Sequence, residues 1–113
     1  MPEEKKLELG LFKLRLDRST IIDSVNVNSL EWQLSKTVEE LIELADAINH
    51  YKRNDAVPEQ VCQEIADVII QCAIATEIFG SANVQLFIEK KMLAIKGRNK
   101  RLAKKLIRVG FQK

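Results

Sequence analysis

The chain is poor in the residues that break helices. Its 113 residues include two prolines and four glycines. Long helices are therefore expected. It holds only two cysteines, Cys62 and Cys72, ten residues apart on one expected helix. At ~1.5 Å per residue they lie ~15 Å apart, too far for a disulfide, and they read as reduced core residues. A single histidine and the absence of CxxC spacing exclude an ordinary structural zinc site. Aromatic residues amount to 5%, which leaves little apparatus for stacking on nucleic-acid bases. No apolar run reaches the ~18 residues of a membrane span, and the charged start MPEEKKLELG lacks the apolar stretch of a secretory signal. A cytoplasmic protein with no membrane partner is expected.

What is present is ordinary in bulk and uneven in arrangement. Apolar residues make up 46% and charged residues 30%, as in a globular domain with one modest core. The net charge of +2 conceals an acidic body joined to a basic end. Residues 90–113 carry ten Lys or Arg and no acid.

Periodicity sets the fold class. From NSLEWQL onward, Leu30, Leu34, Val38, Leu41, Ala45 and Ile48 form one apolar stripe on a helix that fades near residues 52–55. Asn28 or Ser29 can cap it, with Glu31 placed for a capping box. A second helix starts near Pro58 and stops at Gly80. Eleven of its fifteen residues from Ile65 to Phe79 are apolar and surround the wheel, so burial is expected. A third helix follows residues 81–83, with Gly97 as a weak point, and a basic amphipathic stretch closes the chain. The alternation in KLELGLFKLRL is strand-like, so residues 1–28 are read as an N-terminal arm, extended in part. The fold class is all-α: an antiparallel hairpin plus a further helix, too thin a core for a monomer. A second copy would complete a four-helix bundle and cover the apolar second helix.

The chemistry lies in two acidic pairs. Glu40 and Glu43 are three apart on the first long helix, and Glu64 and Asp67 on the second. Residues three apart project from nearly the same side. The short loop between the helices makes them antiparallel. Counted from the loop at ~1.5 Å per residue, the pairs stand at similar heights, ~9–16 Å up. Four close carboxylates need a counter-charge. Oxygen-only ligands suit Mg²⁺ or Mn²⁺, and hence metal-assisted hydrolysis of phosphate anhydrides. By rotation Glu40 falls at the edge of the apolar stripe. Gln60, Glu64, Asp67 and Gln71 form a polar strip on the second helix. The competing readings are a solvated acidic face in a purely structural bundle and a non-enzymatic helical module binding nucleic acid through its basic end.

The arrangement Glu40-Leu-Ile-Glu43, twenty residues, Glu64-Ile-Ala-Asp67 resembles the MazG-like all-α nucleoside triphosphate pyrophosphohydrolases. That group includes dimeric dUTPases and phosphoribosyl-ATP pyrophosphatase. The context KTVEELIEL and EIADV is similar too, and the resemblance spans residues 29–98, leaving 99–113 as a basic tail. It implies cleavage of a nucleoside triphosphate between its α- and β-phosphates, giving a monophosphate and pyrophosphate. It implies Glu40, Glu43, Glu64 and Asp67 as catalytic Mg²⁺ ligands, with Glu39 the alternative in the first pair. It implies phosphate-binding bases on the following helix, Lys91 first and Arg98 second, with Asn99 suggested by position. Lys36 could meet a phosphate or balance the acids. Trp32 could stack on the base, although a core or subunit-interface role is favoured. The resemblance also implies a homodimer or homotetramer.

Overall fold

A computed structural model describes residues 14–108, which form four helices and no strand. These are α1 (Arg18–Val27), α2 (Leu30–Lys52), α3 (Pro58–Phe79) and α4 (Ser81–Arg108). The fold is all-α.

Most of the strand-like stretch 6–16 lies outside the described residues, and residues 18–27 of the arm, for which no element was expected, are helical. The cause is local. Asp17 caps α1: its carboxylate accepts from the Ser19 amide at 3.2 Å, the Ser19 hydroxyl at 3.0 Å and the Thr20 hydroxyl at 2.7 Å. A good cap outweighs the modest helix penalty of the β-branched residues that follow it.

Ser29 caps α2, its Oγ accepting from the Trp32 amide at 3.1 Å. The expected Asn28–Glu31 box does not form. Glu31 lies instead in the first turn of α2, where a negative charge complements the helix dipole. At the other end the chain turns within five residues. Asn54 takes a left-handed φ of 64°, and the Asp55 amide donates to His50 O at 2.8 Å. Asn is among the few side chains that tolerate this conformation. Pro58 then opens α3, and Gly80, at φ 106°, ends it. Contacts pair Gln33 with Gln71 and Glu40 with Glu64, so α2 and α3 run antiparallel.

The chain forms two compact units, one through Ile78 and one from Phe79 onward. In the first unit the covered residues are not the expected ones. Among the described residues, Gln33, Glu40 and Gln71 are buried together with only two apolar residues, Ile21 and Ile74. The α2 stripe of Leu30, Leu34, Val38, Leu41 and Ile48 is exposed. So, in the single chain, are Ile65, Ile70 and Phe79 of α3. Cys62 and Cys72 are free and exposed rather than core residues. The reason is rotational: α2 turns its polar Gln33–Glu40 side toward α3, which leaves the stripe on the other side. In the second unit α4 passes through Gly97 without a break, and none of its described residues is buried. No single helix among the described residues is long and apolar enough to cross a membrane.

Candidate metal centre

The hairpin brings three of the four predicted acids together. One carboxylate oxygen from each of Glu40, Glu43 and Glu64 lies within 4.8 Å of the others. Glu40 is 7% exposed, Glu64 is half-buried and Glu43 is exposed. Asp67, one turn beyond Glu64 on α3, is exposed and outside this group. The polar strip along α3 therefore divides: Gln71 is buried, Glu64 half-buried, and Gln60 and Asp67 face outward.

The carboxylates are only partly compensated. Lys36 Nζ lies 3.0 Å from Glu40 Oε2 and 3.0 Å from Glu39 Oε1. Glu39, the alternative ligand, is thus turned to Lys36 on the outer side. Hydrogen bonds to Glu39 and Glu40 push the Lys36 ammonium well above its usual value, so it stays charged. The remaining oxygens of Glu40 and Glu64, both Oε1, are buried without a hydrogen-bond partner. A carboxylate oxygen stripped of water and left unpaired is costly. The negative charge of Glu40 foremost, then lost hydration, then the charge of Glu64, raise the Glu43 carboxyl above the ordinary range. Orphaned oxygens, repulsion and an all-oxygen donor set are what a hard divalent cation would relieve.

A polar cleft of about 450 Å³ adjoins the acids toward the hairpin turn. Glu43 and Glu64 form one wall of it, with Asp46, His50, Asp55 and Gln60 around the rest. His50 Nδ1 and Arg53 Nε lie 3.5 and 3.4 Å from Asp55 Oδ2, which ties the turn to the end of α2. Asp46 and His50 were not singled out from the sequence. Asp46 lies three residues after Glu43, so it is a near neighbour of Glu43 on α2, though well round the helix from Glu40.

The other predicted residues lie apart from the acids or outside this unit. Trp32 is 48% exposed, not a core residue of the single chain. Lys91, Arg98 and Asn99 are exposed on α4, in the second unit.

Residues 28–108 match the MazG nucleotide pyrophosphohydrolase domain. The chain belongs to this family. Comparison with curated proteins and with solved structures gave no match. The MazG domain takes in α2, α3 and the whole of α4, and α1 precedes it. All four predicted acids lie within it, as do Gln33 and Gln71. MazG domains are metal-dependent, and the three converging carboxylates fit that requirement.

Proposed function

We propose that the chain is a Mg²⁺-dependent nucleotide pyrophosphohydrolase that converts (d)NTPs to (d)NMPs and pyrophosphate, with Mn²⁺ able to substitute. The observation that carries this reading is the convergence of Glu40, Glu43 and Glu64 with two buried, unpartnered oxygens, inside a MazG domain. These three side chains would hold the cation, and Asp67 is proposed as the fourth ligand, reaching it by a change of rotamer. When bound, the cation supplies neutralisation of phosphate charge and a more acidic hydrolytic water.

The chain's own residues would do the rest. Glu43 would ligate in its ionised form. Lys36, which neutralises Glu40 and Glu39, becomes available for a phosphate once a cation takes over that task. Lys91 and Arg98 are proposed to hold phosphates, and Trp32 to stack on the base. The substrate would come from the cytoplasmic nucleotide pool.

We also propose that a second copy covers the α2 stripe and completes a four-helix bundle, as a homodimer or a pair of dimers. Five large apolar residues left exposed along one helix support this.

The test is direct. The folded protein is incubated with a panel of NTPs and dNTPs and Mg²⁺, and pyrophosphate is measured. Release that disappears in Glu64→Gln supports the reading. No release from any nucleotide sinks it, and full activity in Glu64→Gln sinks the ligand assignment.

A further inference from the structure

The best-buried side chain of the described protein is neither apolar nor one of the acids. It is Gln33, 1% exposed. Its partner across the hairpin, Gln71, is also buried. Gln71 Nε2 donates to Gln33 Oε1 at 3.1 Å and to Thr37 Oγ1 at 3.2 Å. The Thr37 hydroxyl donates to Gln33 O at 2.8 Å, and Gln33 Nε2 donates to Ser24 O of α1 at 2.6 Å. One amide pair thus joins three helices. The pairing was not expected: Gln71 read as part of the polar strip of the second helix, and Gln33 fell outside every motif.

Its position relative to the acids is regular. Gln33 lies seven residues before Glu40 on α2, and Gln71 lies seven residues after Glu64 on α3. Seven residues are close to two full turns, ~10.5 Å, and return to the same side of a helix within ~20°. In an antiparallel pair the two offsets cancel. The glutamines face each other two turns from where Glu40 and Glu64 face each other. Any sliding of α3 along α2 breaks the amide contacts and separates the carboxylates by the same distance.

The short turn joins the two helices at one end, and the amide pair ties them toward the other. The hairpin buries Ile74 as its only apolar residue, and non-directional apolar contact would in any case accept several registers. The carboxylates repel one another in the metal-free chain and favour separation. A buried polar pair does the opposite, because its hydrogen bonds form in one register only and its desolvated amides have no alternative partners. Buried polar residues have this role in helical coils, where one pair fixes register at a cost in stability.

We propose that Gln33 and Gln71 are positioning residues: a buried amide clamp that sets the α2–α3 register and so holds Glu40 opposite Glu64 before any cation arrives. The proposal rests on the metal-site reading given above. The clamp touches neither cation nor substrate and acts through the backbone over two turns.

The test is the double variant Gln33→Leu/Gln71→Leu, in which both amides are replaced by apolar groups of similar size. Removing both partners leaves neither Gln33 nor Gln71 with an unpaired amide, so the helices should still pack. Mn²⁺ binding is followed by calorimetry alongside helix content and melting temperature of the metal-free protein. The clamp predicts retained helix content and a melting temperature near that of the parent, with Mn²⁺ affinity lower by about 10- to 100-fold, the range seen when supports of metal ligands are removed. Unchanged affinity in the folded double variant overturns the clamp, because a purely structural pair would move the melting temperature alone. Should the leucine pair not fold, Gln33→Met/Gln71→Met, whose unbranched side chains fit irregular gaps, is read by the same criterion. Failure of the parent protein itself to bind Mn²⁺ would instead refute the metal site, so the two failures are distinguishable.

Discussion

The two sides of α2 are treated in opposite ways. The side against α3 is covered, and its buried residues are Gln33 and Glu40. The side bearing Leu30, Leu34, Val38, Leu41 and Ile48 is uncovered. A chain folding for its own stability would do the reverse, since each fully buried aliphatic side chain contributes ~1.5–3 kcal/mol and each desolvated carboxylate costs energy. The inversion separates two jobs. On the function proposed above, the covered seam assembles charge for chemistry, and the open stripe is the apolar area offered to a second copy.

The largest effect should come from removing one acid of the seam. Glu64→Gln is expected to reduce metal-dependent pyrophosphate release by more than about 100-fold, since a ligand should matter at least as much as the groups that support one. The metal-free protein should keep its helix content and melt no lower, because the substitution removes one of several repelling charges. A variant that lost activity only by unfolding would mean that Glu64 belongs to the scaffold rather than to the chemistry.

Next comes the stripe. Leu41→Lys places a charge at the middle of the uncovered face. If that face is covered by a second copy, sedimentation should show the assembly shifting to single chains, with a loss of about 1.5–3 kcal/mol of burial per chain. An unchanged sedimentation coefficient would mean that the stripe faces solvent or another partner.

A smaller, signed effect follows from Glu43. Its carboxyl is raised above the unfolded value of 4.5, chiefly by the Glu40 charge. In the pH window just above 4.5 the folded chain then binds more protons than the unfolded chain. This group's contribution to stability is present below 4.5 and lost as pH rises through the raised value. With chelator present, melting temperature attributable to this group should fall with rising pH across that window. With Mn²⁺ present the trend should reverse, because ligation needs the ionised form. The same slope with and without metal would show that Glu43 stays outside the ligand set.

These contrasts also explain what could be read from the sequence. The helix ends at Lys52, Pro58 and Phe79 were legible because prolines, glycines and turn residues act locally. The convergence of Glu40, Glu43 and Glu64 was legible because three-residue spacing and a short loop fix height and side. What could not be read was which side of α2 faces its neighbour. An apolar stripe signals burial without saying against what. Gln33 was missed for the same reason: its importance depends on Gln71, 38 positions away. Helix α1 was missed because the alternation just before it suggested a strand, while the single residue Asp17 set its start.

The smallest effect should come from Ser29, which stands at the head of both sides of α2. Its hydroxyl accepts from the Trp32 amide, and its carbonyl accepts from the Gln33 amide at 3.0 Å. Ser29→Ala removes only the first of these. Losing a helix cap of this kind costs about 1 kcal/mol, a few degrees of melting temperature for a chain of this size. The frayed turn carries Leu30 of the stripe, whereas the register of the acids is held beyond it by Gln33 and Gln71. Stability should therefore fall while Mn²⁺ affinity stays within about twofold of the parent, well short of the loss expected for the glutamine pair. A large loss of affinity from Ser29→Ala would shift the positioning role from the amide clamp to the entry of α2 itself.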